Sequence, residues 1–229
     1  MKLEKLLHSQ GFGTKKEVLR YIRAEEFQFN GITFSHPQDD IQIQDGQVFH
    51  LGLNEFFYYE KILIALHKPL GYECSQNPQH HQSVFSLLPD YILNRGIQPV
   101  GRLDVDTTGL ILFTDSGTLI HKLTSPKKEV SKIYQVTLKH PVNTDWIEEF
   151  KNGVELKNND GHVKPQNAYL ESETQLILEI SQGKYHQVKR MVAAMHNRVE
   201  ALHRLQVGEY SLKQLKEKNW EILDFPQIH

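Results

Sequence analysis

The stretch Gly101-Arg102-Leu103-Asp104-Val105-Asp106-Thr107-Thr108-Gly109-Leu110 runs on into Ile111-Leu112-Phe113-Thr114-Asp115-Ser116-Gly117. A turn rich in Asp, Thr and Gly leads directly into an apolar strand. That arrangement places short polar side chains at a strand edge, where backbone N–H groups can orient them. On turn chemistry alone, a tight turn that satisfies its own hydrogen bonds is the simpler reading.

Working outward, apolar alternation predicts strands at Ile62–Leu66, Leu110–Thr114, Ile133–Leu138, Leu176–Ile180, Val199–Leu202 and Trp220–Leu223. Helical spacing predicts Ser116–Leu123, Thr144–Asn152, Tyr185–Met195 and Leu212–Glu217. The two kinds mix without regular βαβ alternation, so a largely antiparallel α+β domain over residues 60–229 is expected. Upstream, residues 1–55 read as a separate small module. Leu3, Leu6 and Leu7 mark a first short helix that stops at Gly11-Phe12-Gly13. Thr14-Lys15-Lys16-Glu17 is a capping-box pattern opening a second, which buries Val18, Leu19 and Ile22 and offers Lys15, Lys16, Arg20 and Arg23 to solvent. Phe27–Phe29 with Asn30-Gly31 predicts a type I′ hairpin, and Ile41–Gln44 with Asp45-Gly46 a second one. Residues 52–60 read as a linker.

Composition bounds the function. With 26 Lys+Arg against 28 Asp+Glu the chain is nearly neutral, but a polyanion responds to local potential. Residues 1–26 carry a balance of +2, and residues 121–140 and 184–204 carry +4 each, while 141–182 holds eight acids. Such partition fits a nucleic-acid-facing side and a solvated back. A lone cysteine, Cys74, excludes an internal disulfide and a multi-cysteine zinc site. His80-His81 lacks a third ligand at a sensible spacing and reads as exposed loop. No apolar run approaches the ~20 residues needed to span a bilayer, and the N-terminus lacks a signal-peptide pattern. A cytoplasmic protein without membrane association is expected.

Three ordered blocks decide the function. GRLD-x-x-TTGL resembles the signature of the RsuA/RluA-type pseudouridine synthases, in which the Asp of RLD is catalytic; here that is Asp104. Lys132-Ile133-Tyr134-Gln135-Val136 resembles the strand supplying the active-site tyrosine, Tyr134. Gly183-Lys184-Tyr185-His186-Gln187-Val188-Lys189-Arg190-Met191 resembles the block supplying a basic partner for the Asp, which makes Lys189 the candidate and Arg190 the alternative. The run Val199 to Gly208, with Leu202 and Arg204, continues the pattern, so the resemblance covers residues 62–224. The helix pair and hairpins of residues 1–51 resemble the αL RNA-binding module of S-four-like domains, although Asp39, Asp40 and Asp45 make the later half acidic.

The resemblance implies isomerisation of a uridine in ribosomal RNA, free or in an assembly particle, by a monomer. Leu66-His67-Lys68-Pro69-Leu70-Gly71-Tyr72-Glu73-Cys74-Ser75 is similar to the corresponding run of the RsuA branch, which implies 16S RNA of the small subunit, with a large-subunit 23S enzyme as the alternative. No redox or group transfer occurs, so neither cofactor nor metal is called for. The chemistry needs a carboxylate that is a nucleophile or stabilises positive charge at the anomeric carbon in a water-shielded pocket. Burial disfavours an ionised carboxylate, and a cation within about 4–6 Å offsets that. Tyr134 can stack on an extruded uracil and handle a proton; Val188 and Leu202 are expected as apolar walls. Arg102, Lys15, Lys16, Arg20, Arg23, His186, Gln187, Arg190 and Arg204 are expected to meet RNA. Asp106 reads as a turn former and Cys74 as packing. A glycosidase would need a second, suitably placed acid, and a non-catalytic RNA-binding assembly factor has no chemical reason to keep Asp104, Tyr134 and Lys189 together.

Overall fold

The computed structural model of the chain describes residues 1–156, 161–215 and 218–227. The N-terminal part holds helices α1 (Leu3–Ser9) and α2 (Lys15–Arg23) and strands β1 (Phe27–Phe29), β2 (Ile32–Phe34), β3 (Val48–Leu51) and β4 (Asn54–Phe57). The strands form one sheet in the order β2-β1-β3-β4. Leu3, Leu6, Leu7, Val18 and Ile22 pack with Phe27, Ile41 and Phe49 into a core of their own. The capping box of α2 is complete, with the Glu17 carboxylate accepting from the Thr14 N–H at 2.7 Å. Leu19 is only half-buried, whereas Lys15, Lys16, Arg20 and Arg23 are exposed. Asn30 and Gly31 take φ of 50° and 75°, as a type I′ turn requires.

The second hairpin differs from expectation. Residues 41–44 form no strand, because Ile41 is drawn to the N-terminus: its N–H donates to the Met1 carbonyl and its side chain is buried. The hairpin turns instead at Gly52-Leu53, where β3 pairs with β4, so the expected linker 52–60 is partly strand.

Beyond it lie β5 (Leu63–Lys68), β6 (Tyr72–Glu73), β7 (Gln82–Ser83), α3 (Asp90–Leu93), β8 (Gln98–Pro99), β9 (Thr107–Thr114), α4 (Gly117–Thr124) and β10 (Lys132–Leu138). Then come α5 (Thr144–Asn152), β11 (Val154–Leu156), β12 (Gly161–Val163), β13 (Asn167–Ser172), β14 (Gln175–Ile180), α6 (Gln187–Ala194), β15 (Val199–Val207), β16 (Tyr210–Ser211) and β17 (Trp220–Leu223). The main sheet runs β13-β14-β10-β15-β9-β5-β17, with β8 on β9 and β16 on β15. Among its described residues only the β15–β9 pair is parallel, in keeping with the expected antiparallel α+β domain. The expected helix Leu212–Glu217 is a 3₁₀ turn at Leu212–Leu215, and residues 216 and 217 lie outside the described ones. Among the described residues no helix is long and apolar enough to cross a membrane.

Alternation gives the sheet two apolar faces. Ile64, Leu66, Ile111, Phe113 and Val136 face one cluster, which takes in Ile147 of α5 and Met191 of α6. Leu63, Ala65, Leu110 and Leu112 face the other, covered by Leu119 and Leu123 of α4. A buried network joins the two parts of the chain. Arg95 donates to Asp115 at 2.8 and 3.1 Å, to the Gln10 side chain at 2.8 Å and to the Tyr59 carbonyl at 2.9 Å. Asp115 in turn accepts from the Ile62 N–H that opens the main sheet.

Candidate active site

The loop from β8 to β9 carries Asp104, and three neighbours fix its backbone. The Thr107 N–H closes a turn on the Asp104 carbonyl, the Gly71 N–H donates to the Val105 carbonyl, and the Leu103 N–H meets the Cys74 thiol sulfur at 3.4 Å. Beneath the loop lies Lys68, fully buried at the end of β5. Its ammonium donates to the carbonyls of Thr107 at 2.8 Å, Pro69 at 3.1 Å and Val105 at 3.4 Å. Burial holds its pKa below the ordinary lysine value, against the opposite pull of Cys74, Asp106 and Asp104. A strand that ends apolar-apolar-His-Lys-Pro signalled this residue, since a lysine facing the core must find acceptors.

From the other side, α6 brings up its first turn. His186, with φ of 48°, begins it, and the buried Gln187 turns its side-chain oxygen back to the Lys184 N–H at 3.0 Å. Lys189 therefore points at the loop, with its ammonium 2.9 Å from Asp104 and 2.7 Å from Asp106. His186 Nε2 lies 3.4 Å from the second Asp104 oxygen. Burial works against charge on Lys189, but its hydrogen bonds to Asp106 and Asp104 outweigh it and raise its pKa. For Asp106, burial is likewise outweighed, here by the hydrogen bond and charge of Lys189, and its pKa is lowered.

Asp104 opens into a cavity of about 640 Å³ lined by Tyr134, Val188, Leu202, Lys132, Arg204 and Arg102 among others. Tyr134, Val188 and Leu202 are buried and give apolar and aromatic walls, with Lys132 and Arg204 beside them and one carboxylate, Asp104, at the edge. This arrangement can take a flat ring, exclude water from it and hold an anionic oxygen at its edge.

Comparison with known proteins agrees with this chemistry. The RNA pseudouridylate synthase family matches residues 62–194. Ribosomal small subunit pseudouridine synthase A of Vibrio cholerae is 35% identical over 217 residues, 95% of this chain and 93% of the relative. The protein of the same name from Yersinia pestis is 35% identical, covering 93% of this chain and 89% of its own length. A crystal structure of a pseudouridylate synthase superposes with a TM-score of 0.66 at 31% identity, covering 98% of this chain and 96% of that one. This chain belongs to the RNA pseudouridylate synthase family. Its nearness to the A-type small-subunit enzymes agrees with the resemblance to the RsuA branch.

In this pseudouridine synthase Asp104, Tyr134, Lys189, Val188 and Leu202 come together around one cavity. Arg190 does not pair with Asp104; it donates to the Tyr185 carbonyl at 3.3 Å. Arg102 is exposed at the mouth. Three placements differ from expectation. Asp106 is more than a turn former, since it shares the Lys189 ammonium. Gln187, expected to meet RNA, is buried and orders the loop before α6. Arg204, also expected among RNA contacts, is 2% exposed and donates through Nε to the Leu110 carbonyl. Its position two residues beyond Leu202 on the same strand face was the signal that it points inward.

Proposed function

We propose that this pseudouridine synthase converts a uridine of small-subunit 16S ribosomal RNA into pseudouridine, with Asp104 as the catalytic carboxylate. The observation that carries the reading is the Lys189 ammonium 2.9 Å from Asp104 at the edge of a cavity lined by Tyr134. The ammonium is a positive charge held against the carboxylate by α6, and it fixes which way that carboxylate faces. Lys189 is accordingly a partner of the nucleophile, and Tyr134 offers its ring to the base and its hydroxyl to the C5 proton. The names of the relatives support the small-subunit substrate.

The target nucleotide must leave its stack before it reaches Asp104. Arg102, at the mouth, holds a flanking phosphate or fills the gap left behind. We read residues 1–55 as an S-four-like RNA-binding domain that presents the α2 cations, and residues 60–229 as the catalytic domain. One copy holds cavity, carboxylate and cation, so a monomer working in the cytoplasm suffices.

Mapping pseudouridines in ribosomal RNA from cells with and without the protein tests the substrate. One 16S position should lose its modification and regain it on complementation. Loss confined to 23S RNA would move the assignment to the large subunit, and an unchanged map would refute it.

A further inference from the structure

The cavity holds two cations that the chemistry at Asp104 leaves unused. Arg204 sits on β15 and Lys132 on β10, and the register places Arg204 opposite Tyr134. Arg204 is 2% exposed, and its Nη2 has no hydrogen-bond partner. Lys132 is half-buried and, among the described residues, donates only to the Val130 carbonyl, at 2.7 Å. Among the described residues no carboxylate pairs with either. Burial, and then the charge of Arg204, lower the pKa of Lys132. Nearby, the Thr107 hydroxyl is also buried without a partner. Desolvating two cations together without an anion is costly, and a fold keeps such an arrangement when a ligand completes it.

What completes it follows from the reaction and the walls. Breaking the N1–C1′ bond sends its electron pair to N1, and the negative charge spreads over O2 and O4 of the uracil. The sugar carbon is left electron-poor beside the Asp104 carboxylate. Rejoining C1′ to C5 then releases the C5 proton, N1 takes up a proton, and atoms and charge balance. Phosphates stay with the exposed Arg102 at the mouth, whereas the base enters beside Tyr134 and Leu202, the residues that flank Arg204. Resting on the function proposed above, we infer that the Lys132 ammonium, with the buried Arg204 guanidinium charge behind it, forms an anion hole for the departing uracil. Preorganised donors aimed at charge that develops only in the transition state accelerate the step without tightening substrate binding.

Lys132 carries the test, because Arg204 also holds the Leu110 carbonyl and its loss would disturb the strand. Single-turnover cleavage of the N1–C1′ bond is measured on 16S transcripts carrying either uridine or 5-fluorouridine at the target. Fluorine withdraws electrons and stabilises the departing anion, so it lessens the need for the hole. Lys132→Met should slow the uridine substrate about 10²–10³-fold and the fluorinated one much less, with RNA affinity and melting temperature unchanged. Equal slowing of both substrates would overturn the inference. So would a loss of RNA affinity with a shallower salt dependence, which would make Lys132 a phosphate-binding group. The wild-type protein on the same transcripts separates the two readings. If it cleaves neither, the substrate assignment fails and the anion hole with it; if it cleaves both, only the anion hole is at stake.

Discussion

Lys189 shares one ammonium between two carboxylates, and each pairing has its own consequence. Asp104 faces the cavity, while the Asp106 side chain is 61% exposed and serves as an outer anchor for the same cation. Lys189→Met leaves Asp104 without its cation, so turnover at neutral pH should fall by at least an order of magnitude while RNA binding persists; a single-turnover assay checks this. Asp106→Asn tests the anchor through pH. Lys189 has a raised pKa, so its stabilising pair is complete below the ordinary lysine value of 10.5 and is lost as pH rises through the raised value. Removing one of the two carboxylates lowers that upper limit, and the alkaline limb of the rate profile should move down; an unmoved limb would show that Asp106 does not hold Lys189. That Asp104, Tyr134 and Lys189 would meet at one cavity was legible in the sequence because each sits in a long ordered motif. The pairing of Asp106 was not, since a turn position two residues from Asp104 says nothing about which cation reaches it from α6, some eighty residues on.

Strand β9 shows how elements position the site. It lies between β5 and β15, and its parallel register sets Gly109 against Arg204. Gly109 has φ of 106°, and a Cβ there would collide with the Arg204 backbone. Gly109→Ala should therefore pry β9 from β15, displacing both the Asp104 loop and the Arg204 side chain. Loss of activity with a lowered urea midpoint is expected, and a variant of native stability and rate would contradict the packing. Lys68→Met addresses the same loop from below. It strips three carbonyls of a buried donor, at about 1–3 kcal/mol for a buried group left unsatisfied, and should lower both stability and kcat, read from urea melts and single turnovers. Most elements could be predicted from apolar periodicity, which is strong in β10 and α5. The hairpin at Asp45-Gly46 was misplaced because a local turn signal competes with a distant partner, here Met1, that periodicity cannot see. The inward turn of Arg204 was missed for a related reason: charge suggests surface, and only the strand face shows otherwise.

At the scale of the molecule, Arg95, paired with Asp115, ties the main sheet to Gln10 after α1 and to Tyr59, with 4% and 10% of the paired side chains exposed. Arg95→Ala leaves a buried carboxylate uncompensated, which typically costs about 3–5 kcal/mol; a thermal melt should show the loss even though the site is untouched. No motif marked Arg95, since its partners come from separate parts of the chain. The α2 cations make a different prediction. Replacing Lys16 and Arg20 with Gln should weaken RNA binding and reduce the slope of log affinity against log salt by roughly one for each phosphate no longer neutralised, with the rate at saturating RNA unchanged. An unchanged slope would take that helix out of the RNA interface. The whole mechanism depends on the carboxylate at position 104. The most direct measurement is release of tritium from C5-labelled uridine in 16S RNA by the wild-type protein and by Asp104→Asn. Stoichiometric release by the wild type, and none by a variant that binds the RNA equally well, is the predicted result; release by the variant at the wild-type rate would contradict it.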